Sequence, residues 1–156
     1  MNKIHLKASW IVNAPRESLY KITTDFENMP KNFPKVAHSV KIVKREGNNL
    51  LIHAEAKSLG IPPIPVTMQT TLVPGKGYIS ENTNHTFNAT GHEEFLMKDA
   101  KEGTKITYSY EYDLSKSNIM LRVIAKPLFG WVSMWYWKRV YIDRLVELTH
   151  KRDINL

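Results

Sequence analysis

A long succession of strand-like segments, followed by one helical segment, constrains the fold of this chain more than any other feature. From Val36 to Leu114 the pattern is that of β-strands, interrupted by short segments rich in glycine, proline or asparagine. Such turns between alternating residues favour antiparallel hairpins. We therefore predict six successive antiparallel strands, at Val36–Glu46, Leu50–Leu59, Val66–Val73, Tyr78–Thr83, Thr86–Lys98 and Thr104–Leu114.

One more strand and two short helices precede this region. Every second residue from Ile4 to Val12 is apolar, which is the period of a half-buried strand. Pro15 follows, and proline is favoured in the first helical turn, so a helix is expected from about Arg16 to Thr24. A second short helix, confined by two prolines, is predicted to begin after Asp25.

The last part of the chain is predicted to be helical. Pro127 divides it into a short leading segment that starts near Asn118 and a long helix from about Pro127 to His150. The segment Gly60–Pro65 contains three prolines and is expected to be a loop, because proline cannot pair within a central strand. With no linker or repeat, these elements predict one α+β domain over residues 1–156.

Composition excludes several classes of protein. A chain of 156 residues that is 42% hydrophobic and 24% charged is long and apolar enough to fold as a globular domain. The absence of cysteine excludes disulfides and thiolate metal sites, and the six histidines show no ligand spacing, so we expect no metal and no cofactor. No signal-peptide core follows Met1, and the apolar run Pro127–Trp137 is too short to span a bilayer. We expect a cytoplasmic protein.

The chain carries a net charge of +7, which attracts polyanions in general. The cations are dispersed along the sequence, and neither a phosphate-binding glycine loop nor an RNA-binding motif accompanies them. A solvated basic surface is therefore expected, and nucleic acid is not expected as a partner. A transient contact with an anionic membrane stays open, as does the oligomeric state.

Several segments resemble one superfamily. The stretches Ile11–Tyr20 and Asp25–Pro34 are similar to the opening strand, Ala-Pro turn and short helices of START-like and polyketide cyclase/dehydrase-like proteins, which include coenzyme Q-binding-protein-like members. Gly91–Phe95 and Thr104–Thr107 resemble the last hairpin of these proteins. The resemblance implies a helix-grip fold, in which a curved seven-stranded antiparallel sheet wraps around the long C-terminal helix. It also implies a cavity for a hydrophobic molecule between the two.

A carboxylate occurs on the inward face of the last predicted hairpin. Strand parity places Glu93 on the same face as Phe87 and Phe95, and a turn centred near Lys101 would set it opposite Tyr108 or Tyr110. An inward carboxylate must accept hydrogen bonds or become protonated. The alternative is a Glu93 side chain that reaches solvent at a strand end or bulge.

A lysine occurs in the apolar stripe of the long helix. At about 100° per residue, Lys138 lies among Trp131, Met134 and Trp135, on the side that would face the sheet. We expect Lys138 to pair with Glu93 or with an anionic ligand group; alternatively, it reaches water at the cavity mouth. The predicted ligand-binding residues are Trp10, Met68, Phe87, Glu93, Phe95, Tyr108, Tyr110, Trp131, Met134, Trp135 and Lys138, of which Glu93, Lys138, Tyr108 and Tyr110 are also the candidate catalytic groups.

Apolar residues are also predicted outside the core. Ile61 and Ile64 lie in the proline-rich segment, and Phe129 and Trp137 fall towards the polar side of the helix. They could form a lid, a dimer contact or a membrane-touching rim, or pack locally on one another.

Three functions fit these observations. The first is non-enzymatic binding or transport of a lipid, quinone or polyketide-like molecule, and it fits best because no catalytic motif is present. The second is a cyclase or dehydratase, which requires at least two of the four candidate groups near one point of the cavity. The third is a basic adaptor that binds the ribosome, RNA or an anionic membrane.

Overall fold

A curved sheet of seven antiparallel strands forms the frame of the molecule, in the order β1-β7-β6-β5-β4-β3-β2. The computed structural model describes residues 2–58, 60–128 and 131–155. Neighbours in the sheet are neighbours in sequence, except that β1 pairs with β7, so the predicted chain of hairpins is confirmed. The strands are β1 (Lys3–Val12), β2 (Ala37–Glu46), β3 (Asn49–Ser58), β4 (Ile61–Val73), β5 (Gly77–Asn84), β6 (Ala89–Ala100) and β7 (Gly103–Asp113).

The hairpins turn at the predicted glycines. Gly47 and Gly75 adopt φ angles of 58° and 71°, in the left-handed region that residues with a Cβ rarely enter. The last turn lies between Ala100 and Gly103, which sets Glu93 directly opposite Tyr110 in the ladder of β6 and β7. The predicted register of this hairpin is therefore confirmed.

Helices cover the concave face of the sheet. Two short helices, α1 (Arg16–Thr23) and α2 (Met29–Asn32), follow β1 as predicted, with a 3₁₀ turn at Phe26–Asn28 between them. After β7 comes α3 (Ile119–Leu128). The C-terminal helix then runs without interruption through α4 (Trp131–Trp137), a π-helical segment (Lys138–Asp143) and α5 (Arg144–Ile154). Among the described residues, no helix is both long enough and apolar enough to cross a membrane.

The main core lies between the sheet and these helices. Fully buried side chains from α1 and the 3₁₀ turn meet inward residues of the strands and of the C-terminal helix. Aromatic rings dominate the contact, and the rings of Phe33 and Tyr141 stack with their centroids 4.4 Å apart. The residues of this core with almost no exposure are Leu19, Ile22, Phe26, Phe33, Ile52, Phe95, Ile106, Tyr141, Ile142 and Leu145.

The prediction of a loop over Gly60–Pro65 is wrong, because β4 begins at Ile61. Its first residues pair with β3 alone, Ile64 with Ala56 and Pro65 with Glu55, whereas pairing with β5 starts only at Val66. On the side that faces β5, the prolines therefore need no N–H group to pair with a neighbouring strand. A register shift in β3, between Ala56 and Ser58, accommodates the start of β4.

The predicted inward face of the C-terminal helix is also wrong in part. Trp135 is 51% exposed, whereas Trp137 is half-buried and stacks on Tyr108 and Tyr141. From Trp137 the inward side chains recur at intervals of four residues, at Tyr141, Leu145 and Thr149. A straight α-helix drifts away from such spacing, but the π-helical segment adds a residue to the turn and keeps these positions aligned.

Candidate functional site

A cavity of about 280 Å³ lies between the sheet and the C-terminal helix. It separates the main core from a smaller apolar cluster beneath α3, formed by Ala89, Leu114 and Ala125 with Leu121 packed against them. Ser133, Tyr136, Trp137 and Val140 contribute the helix side of the wall, and strands β3 to β7 contribute the other side. Most of the wall is apolar.

Small side chains leave this space open. Ala56 and Ala89 face the cavity from the sheet, and Ser133 faces it from the first turn of the C-terminal helix. The neighbouring Trp137 is held back by stacking on Tyr108, with ring centroids 4.0 Å apart. Since the side chains of Ala56, Ala89 and Ser133 are small, the two apolar clusters do not close on each other within the part of the chain that the structure describes.

The polar end of the cavity is built around Glu93. This residue is only 8% exposed, and its carboxylate accepts hydrogen bonds from the Tyr78 hydroxyl at 3.2 Å and from the Asn82 amide at 2.8 Å. The Asn82 amide also donates to the Tyr110 hydroxyl at 3.2 Å. In the part of the chain that the structure describes, no lysine or arginine forms an ion pair with Glu93.

Further hydrogen bonds hold Asn82 in this orientation. Its side-chain oxygen accepts from the Ser80 hydroxyl at 2.7 Å, and Ser80 is linked in turn to Thr70 at 2.9 Å. These three residues are buried on adjacent strands. The Asn82 amide group is thereby fixed with its two donors towards Glu93 and Tyr110.

Burial governs the protonation of these groups. Loss of solvation raises the pKa of Glu93 above its ordinary value, and hydrogen bonds from Asn82, Tyr78 and Tyr108 only partly oppose it. Burial likewise raises the pKa values of Tyr78 and Tyr108 far above the ordinary value for tyrosine, so their hydroxyls stay protonated. The cluster can therefore present a tyrosine hydroxyl as a donor to an oxygen atom of a ligand, and a carboxyl group that gains a proton more readily than usual.

Gly91 positions Tyr110 in this cluster. A Cβ atom at Gly91 would lie 2.3 Å from the Tyr110 ring, so the ring can cross the strand only where glycine stands. Tyr110 is held from its other side by stacking on Tyr112, with ring centroids 4.0 Å apart. Its hydroxyl is thus brought within hydrogen-bonding distance of Asn82.

Cations and an apolar residue mark the opening of the cavity. Lys35, Lys57 and Ile61 contribute to its wall and are themselves exposed. Ile64 was predicted at a rim together with Ile61, but it is buried and lines the cavity wall. The wall of the cavity therefore combines the polar cluster around Glu93 with two exposed lysines.

The structure brings together only some of the predicted site residues. Phe87, Glu93, Tyr108 and Tyr110 line the cavity. Trp10, Met68, Phe95 and Met134 pack in the adjacent core instead of on the wall, and Trp135 lies outside on the exposed side of the helix. The side chain of Trp131 and the whole of Phe129 lie outside the described residues.

The predicted pair of Glu93 and Lys138 is wrong. The Lys138 ammonium is 2.8 Å from the Asp143 carboxylate, and its side chain is 42% exposed. The π-helical segment begins at Lys138, and this change of helical period turns the side chain away from the cavity. Glu93 is stabilised by neutral donors from the sheet instead of by a cation.

Sequence reasoning missed several residues of the site. Tyr78, Ser80 and Asn82 face inward on β5, but two of the three are polar, so strand parity did not identify this face. The register of the neighbouring hairpin could have done so, since Ser80 lies opposite Glu93 and Tyr78 opposite Phe95. Trp137 was missed because its inward position depends on the π-helical segment.

Titratable groups also meet on the convex face of the sheet. His92 lies between Glu81 and Glu94, 3.1 Å from the latter, and hydrogen bonds to both carboxylates raise its pKa. Within the described ranges, however, no three acidic or histidine side chains are arranged to hold a metal ion. We assign this group a structural role on the surface.

Comparison with known proteins places the chain in a family. The sequence profile of the family described as "Polyketide cyclase / dehydrase and lipid transport" matches residues 12–135. Among curated protein sequences, none matches.

Solved structures share the fold. The chain is similar to the aromatase/cyclase Zhui from Streptomyces sp. R1128, with a TM-score of 0.70 and 12% identity over 96% of this chain and 95% of the other. It also resembles the di-domain aromatase/cyclase StfQ of the steffimycin biosynthetic pathway, with a TM-score of 0.73 and 10% identity over 99% of this chain. It spans only 52% of that di-domain protein.

A START superfamily protein from Mycobacterium smegmatis matches with a TM-score of 0.62 and 12% identity, over 96% of this chain and 97% of the other. At these identities the likeness establishes the helix-grip fold and carries no residue assignment. The family profile covers most of the chain, from the end of β1 to the C-terminal helix. The chain belongs to the polyketide cyclase/dehydrase and lipid transport family.

Proposed function

We propose that this protein binds a hydrophobic small molecule that carries a polar oxygen, in the cavity between sheet and C-terminal helix, as a carrier or sensor without catalysis. The observation that carries the proposal is a largely apolar cavity with a buried cluster of hydrogen-bonding groups at one end. Ligand sites in proteins combine these two properties, because apolar walls provide affinity and a few polar groups provide orientation.

The size of the cavity limits the ligand. Its volume of about 280 Å³ lies near the lower end of the range of ligand sites and well above an apolar cavity of about 150 Å³ that takes up benzene. A fused or substituted ring system fits this volume better than a complete diacyl lipid. A lipid, quinone or polyketide-like ring with a carbonyl or hydroxyl group is the class that we propose.

The polar cluster favours a neutral oxygen on the ligand. The Tyr110 hydroxyl accepts from the Asn82 amide and can donate its own proton to an inserted carbonyl, whereas an anionic group there would be repelled by Glu93 in its ionised form. The apolar body of the ligand would lie against Trp137 and Val140 of the helix.

Binding can be tested with a neutral hydrophobic probe, N-phenyl-1-naphthylamine, followed by its fluorescence. We expect saturable binding to the wild-type protein and at least roughly tenfold weaker binding to Ser133→Phe, because the added ring occupies the cavity. The matched control is Arg152→Phe, which adds the same ring at an exposed position of the same helix and should leave binding unchanged. Native mass spectrometry of protein purified without denaturation would show any ligand that is retained.

Equal binding of the probe to the wild type and to Ser133→Phe would contradict the proposal, provided that circular dichroism shows both to be folded. Loss of binding in both variants would show that the added ring weakens binding wherever it stands and not by occupying the cavity, and this result would also contradict the proposal.

A second candidate is a cyclase or dehydratase. The observation in its favour is the convergence of Glu93, Asn82 and Tyr110, in which a carboxyl group of raised pKa could act as a general acid beside fixed donors. Incubation with a synthetic poly-β-ketone thioester tests it, since cyclisation with dehydration lowers the mass by one water. The wild type should convert the thioester and Glu93→Gln should not; recovery of unchanged thioester from the wild type would remove this candidate.

A further inference from the structure

Helix α3 exposes apolar side chains that the domain does not bury. Ile119, Met120, Val123 and Ile124 point outward, and we call these four residues the outer face of α3; Val123 is 74% exposed. On the opposite side of α3, Ala125 is fully buried and Leu121 packs on Ala89 and Leu114. A helix that is apolar on both sides is expected to be covered on both.

Positive charge accompanies this face. The segment from Leu114 to Ile142 contains no Asp or Glu, although the chain has fifteen of them, and it contains Lys116 just before α3 and Arg122 and Lys126 within α3. Arg122 binds the backbone carbonyls of Leu114 and Ser117, and among the described residues no carboxylate neutralises it. The surroundings of α3 therefore attract an anionic partner.

The outer face of α3 is continuous with the cavity. A shallow depression beside α3 is lined by Phe87, Met120, Leu121 and Ile124, and two of these residues, Phe87 and Leu121, also contribute to the cavity wall. A surface that covered the outer face of α3 would thus lie next to the compartment in which we propose that the ligand binds.

We infer that the outer face of α3 docks on an anionic lipid surface, with the helix lying in the membrane interface. An interfacial helix needs an apolar side and nearby cations, but no shape-complementary pocket, and α3 offers this combination. A second copy of the chain is a poorer occupant because two molecules of net charge +7 repel each other. An anionic protein is also a poorer fit, since the outer face of α3 presents no hydrogen-bonding side chain.

Vesicle co-sedimentation tests the inference. We expect the wild-type protein to bind vesicles of phosphatidylcholine that contain about a third phosphatidylserine, to bind pure phosphatidylcholine much more weakly, and to lose binding as salt is raised. Val123→Glu should bind the mixed vesicles at least about tenfold more weakly, because it removes apolar area and adds a charge of the wrong sign. Since Val123 is exposed, this substitution leaves the core intact.

The matched control is Ile11→Glu. Ile11 is 65% exposed on β1 and lies on the face of the sheet remote from the helices, so the variant makes the same change in net charge away from α3. It should bind the mixed vesicles as the wild type does. Equal weakening by both substitutions would show an effect of net charge alone and would overturn the inference.

Two other results would overturn it. One is wild-type protein that does not bind the mixed vesicles at low salt. The other is a wild-type dimer in size-exclusion chromatography that becomes monomeric in Val123→Glu, which would assign this face to a second copy. The inference is independent of ligand binding. Val123→Glu should still bind the neutral probe, and Ser133→Phe should still bind the vesicles.

Discussion

Glu93 is the residue at which burial and hydrogen bonding compete most directly. Desolvation favours its protonated form, while Asn82, Tyr78 and Tyr108 favour the carboxylate. Burial prevails and the pKa is raised. Within the described residues, the site therefore holds a carboxyl group without a cationic partner, and neutral donors stabilise its charge only in part.

This balance predicts a dependence of stability on pH. Because the folded protein retains a proton on Glu93 that the unfolded chain has lost, the free energy of unfolding should fall as pH rises from the ordinary pKa of 4.5 up to the raised pKa of the folded state, and then stay constant. In Glu93→Gln this contribution is absent. The stability of the variant relative to the wild type should thus increase between pH 4.5 and neutral pH.

Urea unfolding of both proteins across this range measures the difference. The glutamine side chain of the variant can keep both contacts, accepting from the Asn82 amide and donating to the Tyr78 oxygen, so the variant is expected to fold. A difference that does not vary with pH would show that the carboxyl group titrates alike in the folded and unfolded states. A decrease with rising pH would show that hydrogen bonding outweighs burial.

At the scale of elements, the π-helical segment decides which side chains of the C-terminal helix reach the sheet. It keeps Trp137, Tyr141 and Leu145 in line at intervals of four residues, and it leaves Trp135 and Lys138 outside. Trp137 stacks on Tyr108 and Tyr141, whereas Trp135 contacts the Arg139 guanidinium, 4.5 Å from its ring centroid.

The two tryptophans therefore predict different outcomes on truncation. Trp137→Ala should lower the free energy of unfolding by about 3 kcal/mol, because it removes a half-buried ring that stacks on Tyr108 and Tyr141. Trp135→Ala should lower it by no more than about 1 kcal/mol, since its ring is half exposed. Urea unfolding of the two variants at one pH measures both values. A larger loss of stability in Trp135→Ala than in Trp137→Ala would contradict this arrangement and favour a straight helix with Trp135 facing the sheet.

At the scale of the whole molecule, the proposed binding of a ligand in the cavity would be coupled to stability. The two apolar clusters on either side of it are joined through the sheet and the C-terminal helix, so a ligand in the gap contacts elements from both. A ligand that binds only the folded protein stabilises it in proportion to the logarithm of its concentration.

The neutral probe should consequently raise the melting temperature. At a free concentration about ten times its Kd, the stabilisation is about 1.4 kcal/mol, which corresponds to roughly 3–6 °C for a domain of this size. Differential scanning calorimetry measures the shift. The shift should disappear in Ser133→Phe, and a full shift in that variant would place the probe elsewhere.

The succession of strands along the chain, the last hairpin and the strand face on which Glu93 lies were predicted from the sequence alone. The reason is local: side chains alternate between the faces of a strand, and each turn joins neighbouring strands, so parity and turn positions determine which residues meet. This reasoning predicts Glu93 opposite Tyr108 or Tyr110, and the ladder of β6 and β7 shows that the partner is Tyr110.

Only the tertiary structure decided which groups surround Glu93 and which side of the C-terminal helix faces it. The polar inward face of β5 becomes visible through its pairing with β6, which brings Asn82 and Tyr78 to the carboxylate. The π-helical segment follows no local sequence rule, because the contacts of Trp137 with the sheet and of Tyr141 with Phe33, just after α2, stabilise a helical turn that propensity alone would not select. Local patterns thus determined the frame, whereas packing between distant elements determined the chemistry of the cavity.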